Sequence, residues 1–229
     1  MDIVTPLDLI IPTCSMVFAW LIVYSLICLV NQQRSYEWNC RLVSIFHACL
    51  VTLLSYWCGF QTGPWPFDAL GYTSTPFQTL ILLISFGYFI FDFIWCVYME
   101  TEGPVMLIHH VTSVLTLGYA LSIGLSGSEI IAAIFGMEMT NPFLQLRWFL
   151  RETGNYQTRL AYGNDFIFMA LFLYLRLGPG SILTYHTTLA EKPTILIKAG
   201  GLILYLVSII WSILILRFAR YRFFGKKKN

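Results

Sequence analysis

The chain has 229 residues, of which 57% are hydrophobic and 17% aromatic, while only 11% are charged. Soluble globular domains carry about 25% charged residues, so the composition excludes a cytosolic enzyme, a secreted disulfide scaffold and a nucleic-acid-binding module. The formal net charge of +2 is too small to indicate nucleic acid or another polyanion as a partner.

Seven apolar runs follow one another along the chain, and each is long enough to cross a hydrocarbon core of about 30 Å as an α-helix. Short connections rich in Gly and Pro separate them, among them Gly178-Pro179-Gly180 after the sixth run, and none is long enough to hold another domain. The sequence therefore predicts an all-α, polytopic membrane protein with a single membrane domain over residues 1–229. The predicted spans cover residues 9–30, 42–60, 77–99, 105–125, 130–150, 160–182 and 194–216.

The first run could be a secretory signal peptide, but it is longer than a typical signal core and is preceded by Asp2 and Asp8 rather than by a basic residue. We therefore expect a retained span. If the N-terminus faces away from the cytosol, the cytosolic face carries most Lys and Arg residues, as the positive-inside rule requires, and the C-terminus is cytosolic. The basic residues left on the other face are then Arg176, Lys192 and Lys198.

The chain ends Lys226-Lys227-Lys228-Asn229, which resembles the dilysine signal that retrieves membrane proteins to the endoplasmic reticulum. The alternative is a basic anchor against anionic lipid headgroups. Both interpretations place the tail in the cytosol, and we expect residence in the endoplasmic reticulum.

Ionisable side chains inside a bilayer are costly unless they are paired or hydrated, so each one is a candidate functional residue. Several of them lie at a similar depth near the cytosolic ends of their spans, which predicts a polar cavity open to the cytosolic leaflet. Because neighbouring residues point about 100° apart on a helix, we expect one ring of the His109-His110 doublet in the cavity and the other against a neighbouring span. The candidates are His47, Asp92, His109, His110, Glu138, Asn141, Arg147, Asp165 and Arg176.

No metal site is predicted, because the chain has four histidines and no H-x-x-x-H or H-x-x-H-H pattern. The six cysteines include no C-x-x-C pair and are expected to pack as small apolar side chains. The fifth span carries the most specific local pattern, Glu138-x-Thr140-Asn141-Pro142. Pro142 removes a helix hydrogen bond and clashes with the carbonyl of Glu138, which predicts a kink that opens a polar notch.

The His109-His110 doublet, followed after a glycine-containing hairpin by the Glu138-x-Thr140-Asn141-Pro142-Phe143-Leu144 segment and Arg147-Trp148, resembles the TLC (TRAM, Lag and CLN) domain family. Asp92, one span earlier, fits the same pattern. The likeness covers about residues 35–220 and is greatest to the short orphan members. It implies a barrel-like bundle of six spans around a lipid-accessible cavity, here with an additional N-terminal helix.

The family's best understood enzymes, the ceramide synthases, transfer an acyl group from acyl-CoA to a sphingoid amine. By this resemblance, His109 or His110 would be acyl acceptor or general base, and Asp92 or Asp165 would orient the ring. Where those enzymes have a later His-Asp pair, this chain has Gly136-Met137-Glu138. Glu138 would then supply the missing acid or base, with His47, Asn141 and Arg147 contacting the ligand.

Three functional hypotheses follow. The broadest is a membrane protein of lipid homeostasis that binds or modifies an acyl lipid, with membrane lipids or a sphingolipid-like ligand as partner. The second is an acyltransferase that uses acyl-CoA as a co-substrate and holds no tightly bound cofactor. The third is a trafficking or chaperone partner. A homodimer is left open, and no nucleic acid is expected.

Overall fold

The computed structural model describes residues 6–224, and they are almost entirely helical. The Lys226-Lys227-Lys228 tail lies outside the described residues. The helices are α1 (Pro6–Val30), α2 (Tyr36–Tyr56), α3 (Pro76–Met99), α4 (Pro104–Ile123), α5 (Gly127–Glu138), α6 (Asn141–Glu152), α7 (Arg159–Leu177), α8 (Pro179–Leu189) and α9 (Ile195–Phe224).

Six helical segments among the described residues are long and apolar enough to cross a membrane. The predicted fold class, an all-α polytopic membrane bundle, is confirmed. The segments are Leu9–Val30, Tyr36–Thr62, Pro76–Met99, Pro104–Ile123, Arg159–Leu189 and Ile195–Phe224.

The predicted fifth span is not one continuous helix. It consists of α5 and α6, each 12 residues long, with a break at Met139 and Thr140. Pro142 lies in the first turn of α6, where its missing N–H is tolerated, whereas inside a longer helix it would remove a hydrogen bond. The predicted kink is thus confirmed, and it amounts to a full interruption.

A second interruption corrects another predicted boundary. The turn residues Gly178-Pro179-Gly180 predicted the connection to the last span, but Pro179 begins α8, which continues the same membrane segment to Leu189. Proline fits the first turn of a helix and disfavours helical geometry in the residue before it. The connection to α9 is instead residues 190–194.

The hairpin of α3 and α4 positions the residues of the site. A capping box starts α3, because the Thr75 side chain accepts from the Gln78 N–H and the Gln78 side chain accepts from the Thr75 N–H. Gln78 also donates to Ser128 of α5 at 3.0 Å, which ties the starts of two helices together. Pro104 starts α4 after a short turn, so the end of α3 lies beside the beginning of α4.

The principal core lies between α2, α3, α4 and α5, where Val43, Val51, Ile81 and Ile131 are fully buried. Helix α1 packs outside this core against α3, and the Trp20 indole N–H donates to the Ile84 carbonyl at 3.1 Å. Most large apolar side chains of α1 remain exposed, as expected for a helix that faces lipid.

The connections gather at two ends of the bundle. At one end, the segment before α3 contacts the α4–α5 turn, since Ser74 N–H donates to Gly124 O at 2.9 Å and Ser126 N–H donates to Tyr72 O at 2.8 Å. At the other end, Arg41 of α2 approaches Glu102 of the α3–α4 turn at 3.7 Å. The site described next lies nearer this second end, which we call the Arg41 end.

Candidate functional site

A cavity of about 380 Å³ lies inside the bundle, and we call it the polar cavity. Its wall is built from α2, α3, α4, α5, α6, α7 and α9, and its volume falls in the range of small-molecule sites, about 300–1,000 Å³. The predicted candidate residues in its wall are Asp92, His109, His110, Glu138, Asn141, Arg147 and Arg176.

His110 and Asp92 form the first pair in this wall. The His110 Nε2 atom lies 3.6 Å from an Asp92 carboxylate oxygen, slightly longer than a hydrogen bond. Asp92 is nearly two turns before the end of α3, and His110 is nearly two turns into α4, so the tight hairpin brings them to the same height. This geometry places the carboxylate beside the imidazole, and the orienting role that the resemblance implied for Asp92 stays a prediction.

His109 takes a different position in the same cavity. Its ring centroid is 5.2 Å from that of Trp211 on α9 and 5.7 Å from that of His110. The Nδ1 atoms of both histidines are buried and have no hydrogen-bond partner in the described structure. Both rings line the cavity, so the expectation that only one would do so is wrong.

His47 lies behind the cavity wall. Its side chain is fully buried and stacks on Tyr88 with ring centroids 3.7 Å apart, and its Nδ1 atom lies 3.6 Å from a Glu138 carboxylate oxygen. Because Glu138 and Tyr88 line the cavity and His47 does not, His47 can affect a ligand through these two neighbours. The sequence predicted that His47 contacts the ligand. In the structure, His47 does not line the cavity.

The break between α5 and α6 supplies the next polar groups. Asn141 Nδ2 donates to Glu138 at 3.1 Å, and Gln145 Nε2 donates to the Asn141 side-chain oxygen at 2.9 Å. Arg41 donates to the Gln145 side-chain oxygen at 3.0 Å. This chain of hydrogen bonds runs from Glu138 to the Arg41 end of the bundle and fixes the orientation of each amide.

Arg41 and Glu102 flank the polar cavity at its outer end. Arg41 also contacts Glu37 at 2.8 Å and lies over the Trp148 ring. Glu102 is outside the membrane-spanning segments, and burial raises the pKa of its carboxyl group above the ordinary value of 4.5, although the charge of Arg41 acts in the opposite direction. The outer end of the cavity therefore carries a charged residue pair within reach of solvent.

Asp165 does not line the cavity. Its carboxylate lies 3.4 Å from Arg147 Nε and 2.9 Å from Arg222 Nε, and Arg222 also donates to the Tyr156 carbonyl at 2.6 Å. The carboxylate thus pairs with arginines on α6 and α9 instead of a histidine. Arg147 both lines the cavity and contacts Asp165, so Asp165 is one residue removed from the cavity.

Sequence reasoning missed several residues of the cavity wall, among them Arg41, Gln145, Tyr88 and Trp211. No local pattern marks them, because aromatic residues occur throughout these spans and Arg41 and Gln145 are near a span end. Arg176 was named among the ionisable residues inside the membrane and was also counted at the opposite membrane face; it is 7% exposed and lines the cavity.

Asp92, Cys96 and His110 place one ligand atom each within 4.8 Å of one another, and we call them the candidate metal cluster. Carboxylate, thiolate and imidazole are all ligands of Zn²⁺. Cys40 lies near this cluster, with its sulfur 3.9 Å from an Asp92 oxygen. The expectation from the sequence that the protein has no metal site stays a prediction.

Comparison with known proteins gives one family. A family model described as the TLC domain matches residues 37–217. An uncharacterised TLC domain-containing protein of Schizosaccharomyces pombe is 23% identical over 163 residues, which are 70% of this chain and 54% of that protein.

Two further relatives carry the same domain name. TLC domain-containing protein 4 A of Dictyostelium discoideum is 26% identical over 157 residues, covering 64% of this chain and 59% of the relative. TLC domain-containing protein 2 of Danio rerio is 25% identical over 150 residues, covering 64% of this chain and 60% of the relative. The matches thus span between half and two thirds of each relative's length.

Proposed function

The chain belongs to the TLC domain family, and on this basis we propose that it binds an acyl lipid in the polar cavity and acts in lipid homeostasis. The observation that carries the proposal is the cavity itself, which combines apolar walls with the imidazole doublet, Asp92 and Glu138. Such a mixture suits a ligand with a polar head and an apolar chain, because apolar walls bury the chain and a few polar groups orient the head.

Acyl transfer is the second candidate, and the His110–Asp92 pair favours it. A neutral imidazole nitrogen would attack the thioester carbonyl of acyl-CoA, the carbon–sulfur bond would break, and the CoA thiolate would leave and take up a proton. The acyl group would then pass from the imidazole to a nucleophilic acceptor lipid, whose proton would move to Glu138 or a histidine. Asp92 would keep the ring in the orientation that this attack requires.

The positive-inside rule supports a cytosolic Arg41 end, where acyl-CoA would enter. Because Arg176 is buried in the bundle, the basic residues that remain at the opposite end are Lys192 and Lys198. We propose residence in the endoplasmic reticulum with a cytosolic C-terminus. A C-terminal epitope tag should be digested by protease added to sealed microsomes, and a protected tag would contradict this orientation.

The experiment compares turnover by the wild type and single variants in lipid nanodiscs. Each sample receives labelled acyl-CoA and a microsomal lipid extract, and mass spectrometry follows released CoA and new acylated lipids. His109→Ala, His110→Ala and Asp92→Asn test the doublet and its acid. His186→Ala is the matched control, because His186 is exposed and outside the polar cavity.

Turnover that the doublet variants lose and His186→Ala keeps would support an acyltransferase and identify its acceptor. A folded wild type that shows no turnover, but retains a specific lipid through purification, would support a lipid-binding regulator. Ser44→Phe, which adds a ring to the cavity wall, should then reduce the retained lipid. Absence of both turnover and retained lipid would contradict the proposal and favour the trafficking hypothesis.

A further inference from the structure

Arg176 is a buried cation in the interior of the bundle. It lies in the last turn of α7 and is 7% exposed. Transfer of a guanidinium group from water to a membrane interior is costly unless the charge is paired or hydrated. A residue in this situation is by default a candidate for direct contact with a ligand or ion.

The described residues satisfy this guanidinium only in part. One terminal nitrogen donates to the Ser208 hydroxyl at 3.3 Å and the other to the Met137 carbonyl at 3.5 Å, both long for N–H···O bonds. The Nε atom is buried and has no partner in the described part of the chain. A guanidinium has five N–H donors, so Arg176 keeps donor capacity.

No carboxylate among the described residues forms an ion pair with Arg176. The acids that line the same polar cavity are Asp92, Glu102 and Glu138, and their contacts go to other side chains. The buried positive charge is therefore left without a direct counter-ion from residues 9–224.

Arg176 also lines a second cavity of about 390 Å³, which we call the aromatic cavity. Its wall includes Phe60, Trp65, Phe135 and Tyr174, and the described lining residues include no acid. Arg176 and Met137 belong to the walls of both cavities, so they lie where the two spaces adjoin. Arg176 is the one charged group among the described residues of the aromatic wall.

The start of α8 lies at the same place, because Pro179 lines the aromatic cavity. Pro179 has no N–H, and the Ser181 and Ile182 N–H groups donate to the Gly178 carbonyl. The end of α7 adjoins this start, and the partial negative charge of a helix C-terminus opposes the partial positive charge of the next N-terminus. Arg176 therefore supplies the positive charge at this site.

We propose that Arg176 binds the anionic head of a single-chain lipid, whose acyl chain occupies the aromatic cavity. This inference rests on the proposed function, because it names the chemical class of the lipid. The head is a carboxylate or a phosphate, since the planar guanidinium forms paired, charge-assisted hydrogen bonds with either. A fatty acid and a lysophospholipid are the two sources of this chemistry.

The test measures lipid binding by thermal-shift titration and native mass spectrometry of the full chain in a neutral detergent. The probes are stearate, stearyl alcohol and stearoyl lysophosphatidate, which share one acyl chain and differ in the head. A ligand that binds the folded state raises Tm with its concentration. The variants are Arg176→Gln and Arg176→Lys, and Arg151→Gln is the matched control, because Arg151 is exposed.

The wild type and Arg151→Gln are expected to bind at least one of the two anionic probes about tenfold or more tightly than the alcohol. Arg176→Gln should reduce the affinity for that probe to the level of the alcohol while leaving the alcohol itself unchanged. Arg176→Lys should keep a preference for anions but bind them more weakly than the wild type, because an ammonium group does not form the paired hydrogen bonds of a guanidinium. If the glutamine variant does not fold, unchanged anion affinity in Arg176→Lys would contradict the inference. Tighter binding of stearate than of lysophosphatidate would identify a carboxylate head, and the reverse order a phosphate head.

Two results would overturn the inference in different ways. Equal binding of the alcohol and both anions by the wild type, or unchanged anion preference in Arg176→Gln, would contradict the role of Arg176 but leave lipid binding intact. Failure of the folded protein to bind any of the three probes would contradict both this inference and the proposed function.

Discussion

Replacing Asp165 by Asn should destabilise the protein strongly. The Asp165 side chain is 1% exposed and lies between Arg147, whose side chain is 17% exposed, and Arg222, at 5%. Removing one partner of a buried ion pair costs about 3–5 kcal/mol, because the other charge stays buried and unpaired. Arg222 retains the Tyr156 carbonyl as an acceptor, so we expect the lower limit, about 3 kcal/mol.

For a chain of this size, 1 kcal/mol corresponds to a Tm change of about 2–4 °C. The expected loss in Asp165→Asn is therefore about 6–12 °C, measured by thermal unfolding of purified protein in detergent. Asp68→Asn makes the same chemical change at an exposed position without an ion pair in the described structure, and it should leave Tm unchanged.

A double-mutant cycle with Arg222→Gln separates the ion pair from other effects. The arginine substitution should cost less in the Asp165→Asn background than in the wild type, because its partner is already absent. An unchanged Tm in Asp165→Asn would refute the stabilising role of this carboxylate between two arginines.

Three further outcomes can be measured on the purified protein. Gly87→Ala should lower stability by about 1–3 kcal/mol, because a Cβ atom at Gly87 would lie 2.5 Å from Met16 Cβ of α1. Gly163→Ala is the control and should not lower Tm, because no atom lies within 4 Å of its added Cβ. Burial raises the pKa of the Glu102 carboxyl group, so the fold loses stability as the pH rises and this group ionises. Glu102→Gln should therefore raise Tm at about pH 7 and leave it unchanged at about pH 4. An equal effect at both pH values would contradict the burial argument. The purified protein should contain no stoichiometric zinc at the candidate metal cluster. A zinc content of one ion per chain that is lost in His110→Ala would contradict that expectation.

Much of the fold was predictable because membrane helices are specified by local properties. A run of about 20 apolar residues must form a helix in a bilayer, since every backbone N–H and C=O needs an internal partner. The same local reasoning located the interruption at Pro142, which cannot donate a hydrogen bond. It misjudged the Gly178-Pro179 interruption, because a turn signal does not state whether the next helix reverses or continues.

The depth of the polar side chains in the membrane was predictable from the sequence, but the contacts between them were not. Position along a span fixes the height of a side chain at about 1.5 Å per residue, and this placed Asp92, His110 and Glu138 at a common level. Helix rotation and lateral packing are set by contacts between distant segments, which no single span reveals. These contacts between distant segments pair Asp165 with Arg222, 57 residues away.

The sequence by itself thus determined the membrane-spanning helices, the interruption at Pro142 and the depth of the polar groups, since each depends on neighbouring residues alone. Only the tertiary structure decided which acid meets which base. It moved His47 behind the cavity wall, placed both rings of the doublet in the wall and located Arg176 between two cavities. These arrangements depend on how seven helices from different parts of the chain pack around one space, and packing is a property of the whole bundle.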